Sequence, residues 1–181
     1  GNADIAEDVH AGDVLNSDRS HGGVDVVGYL KAELGVGEAG RLLVQAMRAN
    51  GINVGTVNCG STLSRQEHPF VVDNKASHYP VVMAVNADQL GLIRHSLSDD
   101  FFKGRYVIGQ WFWELSEPPQ NYRDAFNLVH EIWAPTQFIK DSLETMAPAH
   151  VKITHMPLPI MKPQVDSSLS RESFGLGENF V

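Results

Sequence analysis

The chain has a single cysteine, Cys59, in 181 residues, so no disulfide can form within it. No histidine lies near Cys59 in sequence to activate it as a nucleophile, and a small buried or half-buried residue at a strand end is the expectation. Long apolar runs are missing too: none approaches the roughly 18 residues that would suggest a membrane span. No charged-then-apolar leader opens the chain, and together these absences predict a cytoplasmic protein without a transmembrane segment. Positive charge is scarce, with 14 Lys and Arg against 22 Asp and Glu for a net charge of −8. An acidic domain without a basic stripe repels a nucleic-acid backbone, which sets that class of partner aside. The eight histidines show no spacing typical of a metal site, and no metal is expected.

What is present is a core-forming sequence. A hydrophobic content of 43% in 181 residues suffices to bury one substantial core. The first twenty residues depart from this: Asp4, Glu7, Asp8, Asp13 and Asp18 stand against Arg19 alone, with no helical or strand period. Residues 1–22 are therefore expected as a disordered acidic tail, and 23–160 as one domain.

The organising stretch runs from Val24 to Gly51. Val24, Val26 and Val27 followed by Tyr29 and Leu30 predict a strand buried on both faces, as in a parallel sheet. Gly35, Gly37 and Gly40 follow, and from Glu38 the apolar residues Ala39, Leu42, Leu43, Ala46 and Met47 keep a helical spacing that Asn50-Gly51 stops. Unpaired N–H groups and the positive end of a helix dipole at such a turn favour an anion, which makes Gly35, Val36, Gly37, Glu38 and Arg41 candidate phosphate or donor-binding residues. The alternative is a turn whose glycines only let helix and sheet pack closely. The letters from Gly35 to Gly40 match the dinucleotide fingerprint, but four residues separate strand and first glycine, and the next strand, Ile52 to Asn58, ends without the carboxylate that would hold a ribose hydroxyl.

Further on, strands are predicted at Val81–Val85, Tyr106–Trp113, Ile132–Ala134 and Val151–Thr154, with a long polar loop over residues 60–78. Helices are predicted after Asn86-Ala87-Asp88, where the turn suits a cap, after Pro118-Pro119 and after Pro135-Thr136. Regular alternation of strand and helix predicts an α/β, Rossmann-like parallel sheet with helices on both faces. Ligands bind such sheets beyond the carboxyl ends of the strands, which adds Asn86, Asp88, Trp111, Trp113, Glu114 and Thr136 as candidate acceptor or sugar-binding residues. In a strand, Trp111 and Trp113 share one face and Phe112 and Glu114 the other. Aromatic rings beside a carboxylate suit a sugar, although aromatic residues on a buried strand are as readily core.

Taken together, the GVGEAGR loop from Gly35, the VNADQL segment from Val85, the GRYVIGQWFWEL segment from Gly104, the EIWAPTQF segment from Glu131 and the MPLPI segment from Met156 resemble the N-terminal half of bacterial family-four retaining glycosyltransferases of the GT-B fold. The resemblance covers residues 23–181. It implies one half of a two-domain architecture, with residues 161–181 as linker and lead-in to a C-terminal donor-binding domain. It also implies a nucleotide-sugar donor and a glycan acceptor as substrates and no cofactor; it assigns no catalytic residue in this half, where Glu114, the carboxylate beside the tryptophans, is the candidate. Relatives place a histidine near the end of the fourth strand; here Trp111 to Glu114 occupies that region. Two rival classes are a stand-alone nucleotide- or NAD-binding module and a response-regulator-type interaction domain. The first lacks the acid after strand two, and the second would need an acidic pair where Lys31 and Glu33 follow strand one.

Overall fold

The computed structural model describes residues 19–179. Six strands, β1 (Gly23–Gly28), β2 (Asn53–Asn58), β3 (Pro80–Ala84), β4 (Tyr106–Gln110), β5 (Glu131–Ala134) and β6 (Lys152–His155), form one sheet in the order β2-β1-β3-β4-β5-β6, and every pair is parallel. The helices are α1 (Gly35–Ala49), α2 (Ala87–Leu97), a short α3 (Asp99–Phe102) and α4 (Gln137–Glu144), with a 3-10 helix over Gln120–Leu128. The expected α/β, Rossmann-like parallel sheet is therefore the fold.

The order of the strands decides where each helix lies. From β1 the chain steps outward to β2, then crosses back over β1 to β3 and continues in the opposite direction to β6. Right-handed crossovers put the helix on opposite faces for opposite directions of travel. Thus α1 packs Leu43 and Val44 against Val24, Val26, Val54, Val82 and Ala84 on one face. Leu90, Ile93, Phe126, Ile139 and Leu143 of the later helices cover Val27, Met83, Val107 and Ile132 on the other. The chain reverses between β1 and β3, and at that switch point the crossovers diverge and open a crevice at the carboxyl edge.

Several element boundaries differ from the sequence expectation. The first strand stops at Gly28 because Leu30 N–H turns back to the Gly28 carbonyl at 2.9 Å, leaving Tyr29 and Leu30 buried in the turn. Helix α1 begins at Gly35, so the glycines belong to its first turns instead of preceding it. The fourth strand ends at Gln110, which places Trp111 to Glu114 beyond it and removes the alternating-face argument. The segment after Pro118-Pro119 is a 3-10 helix. Residues 60–79 carry no helix and run outside β2, where Asp73 accepts from Thr56 N at 2.9 Å.

At the amino edge a buried polar network ties the strands together. The Asp25 carboxylate lies 2.6 Å from His78 Nδ1 and accepts from His78 N–H and Arg105 Nη1, each at 2.9 Å. All three residues are buried, Arg105 also donates to the Ala76 carbonyl, and its guanidinium stacks 4.3 Å from the Phe101 ring centre. Gly55 makes room for the carboxylate, since a Cβ there would meet Asp25 Oδ1. Of the expected acidic tail, residues 1–18 lie outside the described residues. Its end docks on this edge through Ser20, which bonds to Ser77 and Tyr79, and through Arg19, which donates to the carbonyls of Asp100 and Lys103. Residues 160–179 are exposed and include one 3-10 turn, Glu172–Phe174. No helix among the described residues is long and apolar enough to cross a membrane.

Candidate functional site

The crevice at the carboxyl edge has one wall made by α1 and the turn before it. Leu34 precedes the helix without a side-chain cap, so the N–H groups of Gly35, Val36 and Gly37 have no bond from a capping side chain. The Glu38 N–H is not among them: it donates to the Leu34 carbonyl at 2.9 Å, and Glu38 leaves the anion-binding set as a backbone donor. Gly37 has a structural reason to be glycine, because a Cβ there would sit 2.5 Å from the Tyr29 carbonyl oxygen and 2.9 Å from that of Ala32. Gly35 faces open space. Of the two readings of this turn, close packing explains Gly37, and an anion site is compatible only with the open end at Gly35 and Val36.

Arg41 differs from the sequence expectation in the same way. Its guanidinium is buried, donating to the carbonyls of Leu30 and Ala32 at 3.1 and 2.9 Å and to Glu38 at 2.7 Å. It holds the β1–α1 turn in shape, a positioning role, and does not extend toward the crevice as a phosphate ligand would. The i,i+3 spacing of Glu38 and Arg41 was the one sequence sign of this.

The opposite wall comes from the ends of β3 and β4 with α2 and the 3-10 helix. Asn86 precedes α2 but does not cap it; its Oδ1 accepts from Phe112 N–H at 3.0 Å and so fastens the β4 loop to the β3 end. The Tyr122 hydroxyl donates to the Phe112 carbonyl at 3.3 Å, and Trp113 Nε1 donates to the Glu117 carbonyl at 2.6 Å. Four residues, Asn86, Phe112, Trp113 and Tyr122, thereby set the loop that presents Glu114, which is exposed. Trp113 is half-buried, its ring 5.3 Å from that of Tyr122. Trp111 is fully buried among Tyr122 and Phe126 and cannot meet a ligand; its assignment to the site is corrected to the core. Thr136 caps α4 by accepting from Ile139 N–H at 3.1 Å, and lies at the β5 end.

Two tyrosines near the strand ends, Tyr29 in the turn after β1 and Tyr122 in the 3-10 helix, are buried in the core on the α2 face of the sheet. Tyr29 is 6% exposed and its hydroxyl makes no hydrogen bond among the described residues. Burial raises its pKa, and the charges of Cys59 and Asp88 add to the shift. Burial likewise pushes Tyr122 up to about 12, with further contributions from Asp88 and Glu114. Asp88, in the first turn of α2, is exposed, as is Glu114. Cys59 is buried and pushed up to about 12 by that burial, which leaves it an unreactive thiol at neutral pH.

The α1 N-terminus follows β1, and Asp88 and Glu114 follow β3 and β4, so all three lie at the carboxyl edge of the sheet. Asp88 and Glu114 form no ion pair among the described residues. No group of three or more metal-ligating side chains occurs among those residues either. Comparisons of the chain with family models, with curated proteins and with solved structures found no match.

Proposed function

We propose that this chain is the acceptor-side, N-terminal Rossmann-like domain of a retaining glycosyltransferase that moves a sugar from a nucleotide-diphosphate sugar to a glycan or related acceptor. The observation that carries the reading is the carboxyl edge of the sheet at the β1/β3 switch, where the uncapped α1 N-terminus follows β1 and the exposed acids Asp88 and Glu114 follow β3 and β4. The sequence resemblance to family-four enzymes supports the same reading. The chemistry is consistent: a leaving nucleoside diphosphate gains from backbone donors that need no reorganisation, and the Gly35 and Val36 amides are of that kind. A carboxylate at the other wall accepts hydroxyl hydrogen bonds, and Glu114 is the candidate to orient or deprotonate the attacking hydroxyl.

Catalysis requires donor and acceptor held together, an advantage that reaches about 7–11 kcal/mol for well-oriented reactants. The donor pocket belongs to the second domain of this architecture, so residues 1–181 alone bind substrates weakly and do not turn over. The test is amide-resolved NMR with a uridine or guanosine diphosphate titrant, paired with a transfer assay on the same chain. Saturable shifts at Gly35 and Val36 without turnover are expected. Shifts confined to other regions, or multiple turnovers by this chain, would overturn the reading. A stand-alone NAD module would instead respond to NAD, but the β2 end offers only Asn58, whose Oδ1 already accepts from Lys31 N–H at 2.9 Å.

A further inference from the structure

The two outer strands of the sheet are finished differently. Along β2 the outward-facing backbone is occupied: the N–H of Thr56 donates to Asp73 Oδ1 at 2.9 Å and that of Asn58 to Asn74 Oδ1 at 3.1 Å, so the loop after β2 closes that side. Along β6 the N–H groups of Lys152 and Met156 turn inward to the carbonyls of His130 and Ala134. That leaves the N–H and C=O groups of Ile153 and His155 pointing outward, and β6 has no second strand neighbour. An open strand edge is a template for another strand. The face beside it is open as well. Helix α1 packs on β1, β2 and β3, and the later helices lie on the opposite face. No helix among the described residues therefore covers β4, β5 and β6 on the α1 side, where Tyr106 and Trp133 are half-buried. Parallel sheets are as a rule covered on both faces. Shortly after β6 comes a third open feature: Ile160, Met161, Val165, Leu169, Phe174 and Leu176 are all exposed, Ile160 at 91% and Val165 at 86%.

We infer that this end of the sheet is a self-association surface whose occupant is a second copy of the chain. A two-fold axis normal to the sheet sets the β6 strands of the two copies antiparallel, joins their open edges and closes the contact at a dimer. The same rotation keeps both α1 faces on one side. The two uncovered halves then merge into a six-strand trough about 29 Å wide, with the α1 helix of each copy as its walls. Each segment of residues 160–176 starts near the carboxyl end of its own β6, which now lies beside the amino end of the other, and lays its apolar side chains into the trough. Six such side chains per copy offer a surface on the order of the 800 Å² per partner that a standard interface buries. A second copy fits because it brings both missing parts, a strand edge of equal length and an apolar segment. Lys152, the charge that would otherwise guard the edge, bonds to Glu131 at 3.2 Å and so lies on the face. Strands β4 and β5 separate this surface from the β1/β3 switch, so it goes beyond the transferase reading and stands or falls apart from it.

The experiment is sedimentation velocity on the whole chain, with far-UV circular dichroism checking that each variant keeps the fold. A dimer is expected at micromolar concentration. His155→Pro removes one outward N–H without touching the bonds to β5, and should weaken the dimer at least tenfold. Ile160→Asp combined with Phe174→Asp should do the same, whereas Leu92→Asp, exposed on α2 at the other face, should change nothing. A chain that stays monomeric at about 100 μM overturns the inference, since specific interfaces of this size hold with a Kd of about 1 μM or tighter. So does a dimer that His155→Pro or the double aspartate variant leaves unchanged. A monomer whose Trp133 emission shifts in the double variant would mean that the chain's own segment covers the face, which also overturns the second copy.

Discussion

The amino and carboxyl edges of the sheet both carry polar side chains, but they treat them in opposite ways. At the amino edge Asp25, His78 and Arg105 are buried and bonded to one another and to backbone, so the charges are spent within the protein. At the carboxyl edge Asp88 and Glu114 stand exposed without ion-pair partners among the described residues. The internal bonds hold strands in place, even though Arg105 Nε finds no partner among the described residues, whereas the exposed carboxylates stay open to solvent. Polar residues on the same sheet thus divide into a buried set bonded within the protein and an exposed set.

The sharpest way to break this contrast is at the amino edge. Asp25→Ala leaves Arg105 buried without its carboxylate, and a loss of about 3–5 kcal/mol is expected in urea unfolding. A loss below about 1 kcal/mol would mean that the network is not the clamp described. Next in size is Gly37→Ala, whose added methyl presses on the Tyr29 and Ala32 carbonyls and should cost about 1–3 kcal/mol. Gly35→Ala, in open space, should cost nothing and even stabilise by a few tenths of a kcal/mol. Equal effects at the two glycines would contradict the separate roles assigned to them.

A smaller effect lies in acid. Burial pushes Glu131 up, but hydrogen bonds from Thr154, Tyr106 and Lys152 and the Lys152 charge together outweigh it and hold the carboxyl below its ordinary range. A depressed carboxyl contributes its full stability above its unfolded pKa, near pH 4.3, and loses it as pH falls through the lower folded value. Stability of the Glu131→Gln variant measured from pH 6 down to about pH 3 should therefore fall less steeply than that of the parent. The smallest change is expected at the carboxyl edge: Asp88→Asn and Glu114→Gln should each alter stability by less than about 0.5 kcal/mol. A larger destabilisation by either would show that it belongs to the bonded set after all.

The sequence made the architecture readable and the chain's turning points much less so. Continuous β-branched runs such as Val81 to Val85 have few other homes than a doubly covered strand, so sheet and alternation followed directly. Strand ends did not, because Tyr29-Leu30 and Trp111-Phe112-Trp113 prolong the apolar run past the point where hydrogen bonding stops. Tyr29, Leu30 and Trp111 are buried, and Phe112 and Trp113 half-buried, by tertiary packing and not by the ladder. The start of α1 was hidden for the opposite reason, since glycines read as loop even when close packing puts them inside a helix. At the site, Asp88 and Glu114 could be picked out because they are acids placed just after strands. Tyr29 and Tyr122 have the spacing of core residues, and the fold buries both. Arg41 misled because charge suggests a ligand, while its partners are carbonyls 9 and 11 residues upstream.

The three tryptophans, finally, sit in three different dielectric settings. Trp111 is fully buried with its indole N–H unbonded among the described residues, Trp133 is half-buried with its N–H on the Glu131 carboxylate at 3.2 Å, and Trp113 stands half-buried beside the crevice. The molecule consequently carries its own optical probes. Blue-shifted emission from Trp111 reports the integrity of the core, and loss of it marks unfolding. Quenching or shift of Trp113 reports occupancy of the crevice while the core remains intact, and replacing Trp133 by Phe separates the two signals in one intrinsic fluorescence titration.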